Sequence, residues 1–154
     1  LLAIFLTVNA VPFKFNKRAT TFNPCRPRNG TYADPLTVAI QPDPVVSNGT
    51  AQFNVSGTLT KYNITAGKTM LGIGFGDSAK QPIGHPYNLT FDKSHVVGCP
   101  FSILASNVSV PTLPNSYIIA VIVGEPTGDP KNPYSVYGCA LANERIPGIQ
   151  GSDG

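Results

Sequence analysis

The side chains best suited to metal binding or catalysis are two histidines, His85 and His95, and three cysteines, Cys25, Cys99 and Cys139. His95 precedes Cys99 by four residues, but a zinc site would need two further ligands. The chain contains neither a C-x-x-C nor an H-x-x-x-H pair. The sequence therefore predicts no metal site.

Two other patterns resemble catalytic or cofactor motifs, but each lacks a required part. Asp92, Ser94 and His95 are the residue types of a hydrolase triad, yet sequence neighbours on a turn do not usually form one, and no G-x-S-x-G segment is present. The glycine-rich run Gly72–Gly76 is followed by Asp77, where a dinucleotide-binding loop needs its third glycine. We therefore expect no enzymatic activity and no cofactor.

The start of the chain has the character of a secretory leader. Residues 1–10 are mostly apolar and end in Val8-Asn9-Ala10, so we expect a signal-peptide remnant that is cleaved after Ala10. Because the chain begins with Leu1 and not Met, we also expect its translated start to be missing. Residues 11–18 end in Lys17-Arg18, which indicates either a propeptide with a dibasic cleavage site or an ordinary exposed basic pair. The expected location is outside the cell or in the vacuolar lumen.

Removing this leader changes the charge of the protein. The full chain has a net charge of +3, from 11 Lys+Arg and 8 Asp+Glu residues. Residues 1–18 contain three of the basic residues and no acid, so the mature chain has eight of each and a net charge of zero. Nucleic acids and anionic membranes therefore lose their main electrostatic attraction, and we expect no nucleic-acid partner.

Glycosylation sequons and cysteines agree with a secretory route. Three cysteines allow three pairings, 25–99, 25–139 and 99–139. Joining Cys25 to Cys139 closes a loop of more than 100 residues, worth about 4–5 kcal/mol in chain entropy, so we favour this bridge. Cys99 would then be a buried small residue or a site of intermolecular pairing. Six sequons, where about two are expected by chance, begin at Asn29, Asn48, Asn54, Asn63, Asn88 and Asn107.

The composition predicts an all-β domain. Charged residues are only 12% of the chain and hydrophobic residues 42%, which argues against disorder. The 15 glycines and 15 prolines argue against long helices. Residues 51–60 alternate, with apolar or small side chains at odd positions, and 117–123 is a continuous apolar run typical of a central strand. Further strands are expected at 36–41, 69–76, 101–110 and 134–141.

These strands predict an immunoglobulin-like antiparallel β-sandwich of about seven strands. We assign it to residues 19–145, with a flexible tail at 146–154. In 101–110 the even positions are expected to face inward and Asn107 outward. The inner faces form either a filled core or an apolar pocket between the sheets. The residues expected to line that space are Phe53, Val55, Leu59, Leu71, Ile73, Phe75, Leu104, Val108, Tyr117, Ile119, Val121 and Val123.

The order of short motifs between Phe22 and Leu141 resembles the ML lipid-recognition family. The resemblance is strongest to its fungal branch of phosphatidylglycerol/phosphatidylinositol transfer proteins, which is related to the Niemann–Pick type C2 sterol carrier. The motifs are Pro24-Cys25, Asp34-Pro35-Leu36, Pro42-Asp43-Pro44-Val45, Asn48-Gly49, Val55-Ser56-Gly57-Thr58-Leu59, Gly98-Cys99-Pro100, the segment from Pro111 to Tyr117, and Cys139.

The resemblance implies a sandwich whose two sheets splay apart to hold the hydrocarbon part of a lipid. It also implies the bridge between Cys25 and Cys139. The family usually has another cysteine shortly before its Cys-Pro pair, but residues 77–97 contain none, so Cys99 lacks that partner.

The function expected from the sequence is therefore non-covalent lipid binding and transfer between membranes. The lipid would be a phospholipid, such as phosphatidylglycerol or phosphatidylinositol, or a sterol, and the carrier a monomer that touches membranes transiently. Phe75 and Tyr117 are the expected aromatic contacts, and Asp92, Lys93 and His95 lie either at the pocket mouth or in a solvated loop. The alternative is a secreted immunoglobulin-like adhesion or carbohydrate-binding module without a lipid pocket.

Overall fold

A computed structural model describes residues 20–25 and 33–145, so the predicted leader, the sequon at Asn29 and the tail at 146–154 lie outside the described residues. The described residues are all-β, as predicted. None of them belongs to a helix able to span a membrane. The strands are β1 (Asn23–Pro24), β2 (Asp34–Pro35), β3 (Thr37–Gln41), β4 (Thr50–Thr58), β5 (Met70–Asp77), β6 (Pro82–Thr90), β7 (Pro100–Ser109), β8 (Ser116–Asp129) and β9 (Asn132–Arg145).

The strands form two sheets that face each other as a sandwich. The larger sheet has the order β1-β9-β8-β5-β6, and β2 also pairs with β9. The smaller sheet has the order β3-β4-β7. The neighbours are antiparallel except for β2 and β9, which are parallel. The prediction of an antiparallel β-sandwich is confirmed.

The continuous apolar run 117–123 is the centre of the larger sheet, as predicted. It lies in β8, which pairs with β5 on one side and β9 on the other. Val121 is opposite Ile73 of β5 and Ala140 of β9, and all three side chains are buried. The outer face of this run is also partly covered, since Ile118 is buried and Ile122 is half-buried, so an apolar residue suits every position.

Strand β6 was not predicted, because Pro82 and Pro86 suggested turns. A proline lacks the N–H that a central strand must donate, but it is tolerated in an edge strand, and β6 is the edge of the larger sheet. The strand also bulges: Tyr87 pairs with Ile73 and Ile83 pairs with Phe75, so three residues of β6 lie opposite one of β5. The prolines that prevented the prediction of this strand are therefore compatible with its position as a bulged edge strand.

The predicted inward face of β7 is wrong at Leu104, whose side chain is 50% exposed. Between two paired positions β7 advances three residues, from Ala105 to Val108, while β4 advances two. This bulge includes Asn107, which has a φ of 58°. Because one extra residue reverses the alternation, odd positions face inward before the bulge and Val108 faces inward after it.

This register makes a prediction about stability. Phe101 is 4% exposed and makes an edge-to-face contact with Phe91, with ring centroids 5.7 Å apart. We expect Phe101→Ala to lower the free energy of unfolding by about 3–5 kcal/mol, because it leaves a cavity. Leu104→Ser should change it by only about 0.5 kcal/mol. Urea unfolding measures both, and an equally large loss for Leu104→Ser would contradict the register.

Candidate functional site

The space between the two sheets contains most of the residues predicted to line it. Eleven of the twelve are at most 6% exposed, and Leu104 alone points outward. The smaller sheet contributes residues of β4 and β7, and the larger sheet residues of β5 and β8. The buried residues of the predicted set are Phe53, Val55, Leu59, Leu71, Ile73, Phe75, Val108, Tyr117, Ile119, Val121 and Val123.

Sequence reasoning missed other members of this apolar layer. Ala140 and Ala142 of β9 are buried beside β8, but residues 139–142 are apolar throughout, so no alternation in the sequence identified them. Ile64 and Phe91 are also buried, but they lie in loops, where no strand period identifies an inward side chain. Ala105 was missed because of the bulge in β7. The layer thus extends beyond the central strands into the loops at one end.

Buried polar groups lie at one end of the apolar layer, beside the loop 59–69. The Asp34 side chain is 3% exposed and accepts hydrogen bonds from the Thr60 N–H and hydroxyl, at 2.8 and 2.9 Å. Asp34 belongs to β2 of the larger sheet and Thr60 follows β4 of the smaller one, so this contact ties the sheets together at one end. Thr69 is fully buried and donates to Glu125 Oε2 at 3.2 Å. Away from this end the described inner faces meet through apolar side chains.

The layer is filled around its central side chains, in contrast to the open pocket expected. Phe53, Leu71 and Ile119 have no measurable exposure, which means that no water-sized space adjoins them. Close packing of this kind is usual for protein interiors. A cleft of about 300 Å³ in the described residues lies elsewhere, lined by Gly67, Lys68, Met70, Thr90, Glu125 and Pro126. A guest between the sheets would have to separate them.

The apolar layer comes close to solvent between β6, an edge strand of the larger sheet, and β7, an edge strand of the smaller sheet. Ile83, Tyr87 and Leu89 of β6 and Ile103 of β7 pack against the core but are only partly buried. The two strands approach each other, but they belong to different sheets and are not paired. We call this side the β6–β7 seam.

Both ends of the β6–β7 seam are closed by the chain. The loop 91–99 joins the strands at one end. At the other end Gly84, with a φ of 68°, lies so close to Pro111 that a Cβ added to the glycine would be 3.2 Å from the proline Cβ. The seam is therefore a line of contact between two unpaired strands, with both of its ends closed by the chain.

Of the two predicted aromatic contacts, Phe75 and Tyr117, only Tyr117 can ionise, and its pKa is raised. Burial raises the pKa of its phenol, and the negative charges of Glu144 and Asp43 raise it further. Because the pKa is higher in the folded chain, the unfolded chain releases this proton first as the pH rises. At pH values below the ordinary pKa of about 10, the Tyr117 phenol does not make the free energy of unfolding depend on pH. Above that pH the free energy of unfolding falls, until the pH has passed the pKa of the phenol in the folded chain.

The raised pKa of Tyr117 predicts that stability depends on pH in a way that can be tested. Tyr117→Phe removes the ionisation and keeps the ring, so the variant should lose less stability than the wild-type chain between about pH 9 and about pH 11. The unfolding midpoint, measured by circular dichroism across that range, shows the difference. Parallel curves for the two proteins would contradict the assignment.

The cysteines and sequons are placed mostly as expected. Cys25 and Cys139 are bonded, with their Cα atoms 5.6 Å apart, which confirms the predicted bridge. Cys99 is free and exposed, so it is not the buried small residue considered above. Glycosylation stays a prediction, but the sequon asparagines within the described residues are exposed, as a glycan requires: Asn48, Asn54, Asn63, Asn88 and Asn107.

The histidines do not form a site with the other titratable side chains. His85 is exposed on β6, and the ring of His95 lies 6.3 Å from that of Phe101. Asp92 and Lys93 are exposed in the loop 91–99. Within the part of the chain that the structure describes, no three His, Cys, Asp or Glu side chains are placed to hold a metal ion.

The chain matches no protein-family model, and no curated protein matches it significantly.

Proposed function

We propose that this protein binds a single lipid by admitting its hydrocarbon part between the two sheets, and that it carries the lipid between membranes. The observation that carries the proposal is the β6–β7 seam. There, inward apolar side chains such as Leu89 and Ile103 are partly exposed to solvent, and the flanking strands are not hydrogen-bonded to each other. The motif order that resembles the ML lipid-recognition family supports the same function.

The energetics of the layer are compatible with a lipid guest. Separating β6 from β7 breaks no strand pairing, because each strand pairs only within its own sheet. The contacts that are lost are those between apolar side chains. An acyl chain or a sterol would make contacts of the same kind with these side chains. Burial supplies about 0.8 kcal/mol for each CH₂ of the guest, and this gain opposes the cost of parting the sheets.

Binding of this kind needs no covalent chemistry. The polar head group of a phospholipid such as phosphatidylglycerol or phosphatidylinositol, or the hydroxyl of a sterol, would remain at the seam in contact with water. The Cys25–Cys139 bridge is compatible with an oxidising compartment. We propose that the carrier acts outside the cell or in the vacuolar lumen, as a glycosylated monomer.

A second candidate is a carbohydrate-binding or adhesion module, and two observations favour it. The first is the filled interior around Phe53 and Ile119. The second is Tyr62, which is 45% exposed and stacks on Tyr137 with ring centroids 4.2 Å apart. An exposed aromatic ring on a fixed support is a surface on which a sugar can stack.

A vesicle assay separates the two functions. Donor vesicles contain a fluorescent phospholipid or a fluorescent sterol, and acceptor vesicles contain neither. A lipid carrier accelerates the appearance of at least one probe in the acceptors, in proportion to protein concentration. A transfer rate equal to that without protein, together with retention of the protein on immobilised polysaccharide, would support the carbohydrate module and exclude the carrier.

A further inference from the structure

The outer face of the smaller sheet carries one large aliphatic side chain. The structure describes every residue of β3, β4 and β7, and on their outer face Leu104 is 50% exposed. The other residues of this face are mainly polar or small, and they include Thr37, Ala39, Gln41, Asn54, Ser56 and Ser102. A single exposed leucine is common on protein surfaces and by itself indicates no function. What distinguishes Leu104 is the residue directly beside it.

Asn54 of β4 is the cross-strand neighbour of Leu104. The two residues form a directly opposed pair between β4 and β7. Side chains of such a pair point to the same face, with their Cβ atoms about 4.5–5.5 Å apart. Asn54 is exposed and opens the sequon Asn54-Val55-Ser56. The large aliphatic side chain of this face therefore adjoins a residue that the sequence marks for an N-linked sugar.

The Asn54 side chain is directed toward the strand that carries Leu104. Its Oδ1 accepts a hydrogen bond from the Ser102 hydroxyl, with the two oxygens 3.3 Å apart. Ser102 lies two residues before Leu104 on β7, so both side chains are on the outer face. An N-linked sugar is attached to Nδ2 of the asparagine, and Oδ1 remains an acceptor after glycosylation. The hydrogen bond to Ser102 is therefore compatible with a sugar and holds its attachment point beside Leu104.

We propose that Asn54 carries an N-linked sugar whose first N-acetylglucosamine lies over Leu104. In the modification, Asn54 Nδ2 loses one proton and forms a bond to C1 of the sugar. The bond from C1 to the diphosphate of a lipid-linked oligosaccharide donor breaks, and the lipid diphosphate leaves with the electron pair of that bond. The carbon-bound hydrogens and the acetyl methyl group of the sugar then contact the leucine methyl groups, while its hydroxyls face water.

The contact makes the stability gained from the sugar depend on Leu104. It is independent of lipid binding, because Leu104 is not part of the apolar layer. A sugar also stabilises a chain by restricting its unfolded state, but that effect does not depend on the residue at position 104. A double-mutant cycle that pairs loss of the sugar with loss of the leucine therefore isolates the contact.

The cycle uses the full chain from a eukaryotic secretory host, trimmed by an endoglycosidase that leaves one N-acetylglucosamine on each occupied asparagine. Ser56→Ala removes the sequon and keeps Asn54, and Leu104→Ser removes the leucine and keeps the sugar. We expect Ser56→Ala to lower the thermal unfolding midpoint by about 2 °C more in the chain with Leu104 than in the Leu104→Ser chain. The matched control is Val96→Ser, a 63% exposed valine in the loop 91–99, which should leave the effect of Ser56→Ala unchanged.

Two further measurements separate the sugar from the serine that Ser56→Ala removes. The same four chains made without sugar in a bacterial periplasm should show no dependence of the Ser56→Ala effect on Leu104. In the trimmed chain, nuclear Overhauser contacts should connect the acetyl methyl group of the Asn54 sugar with the Leu104 methyl groups.

Several results would overturn the proposal. Peptide mass spectrometry that finds Asn54 unmodified in the chain from the eukaryotic host would remove the sugar. Equal losses of midpoint with leucine and with serine at position 104, or the same difference in the chains without sugar, would remove the contact. Absence of the Overhauser contacts in a chain whose Asn54 is modified would show that the sugar lies elsewhere.

Discussion

Replacing both Cys25 and Cys139 with serine should lower the free energy of unfolding by about 4–5 kcal/mol. The bridge spans 114 residues of sequence, so its loss frees a long loop in the unfolded chain. It also ties the segment containing β1 to β9 of the larger sheet, where only two residue pairs of β1 make a ladder. Chemical unfolding at equilibrium measures the difference.

The control for this experiment is Cys99→Ser. Cys99 is exposed and free, so its replacement should change the unfolding free energy by no more than about 0.5 kcal/mol. We expect the double serine variant to be folded at low denaturant and to have the near-ultraviolet circular dichroism spectrum of the wild-type chain. A loss below about 1 kcal/mol would mean that the bridge does not constrain the unfolded chain as proposed.

Ile103→Trp should slow lipid uptake by about tenfold or more. Ile103 is the partly buried residue of β7 that faces the β6–β7 seam, and a tryptophan there fills the gap through which the guest must pass. Overpacking at such a site costs about 1–3 kcal/mol, which is small enough for a folded variant to be studied. Stopped-flow measurement of fluorescent lipid uptake gives the rate.

Leu104→Trp is the matched control on the same strand. Leu104 is the next residue and points outward, with half of its surface exposed, so the same bulk should leave uptake unchanged. If both tryptophan variants take up lipid at the wild-type rate, the guest does not pass between β6 and β7. If both are equally slow, the effect comes from β7 as a whole and not from the seam.

The sequence predicted those strands whose side chains follow one period without interruption. Residues 51–58 of β4 alternate along their length, and 117–123 of β8 is apolar throughout, so local pattern is enough in both cases. The inward face of β7 was predicted only in part, because the extra residue near Asn107 changes the alternation and a bulge leaves no clear mark in the sequence. Strand β6 was missed because its prolines are read as turns until its place at a sheet edge is known.

The candidate site, like the fold, could be predicted from the sequence only in part. Apolar periodicity identified eleven of the side chains that meet between the sheets, since burial follows directly from the alternation. Periodicity does not reveal how far apart two sheets lie, so it could not distinguish a filled layer from an open pocket. The β6–β7 seam depends on which strands become neighbours, and that arrangement is set by long-range pairing.

Mass spectrometry of the intact protein under non-denaturing conditions shows directly whether each chain holds a lipid molecule. The mature chain is purified from a eukaryotic secretory host, and its mass is measured before and after extraction with organic solvent. We expect an added mass equal to one phospholipid or one sterol per chain, which extraction removes. A mass that corresponds to the polypeptide and its sugars alone, unchanged by extraction and by incubation with lipid vesicles, would contradict it.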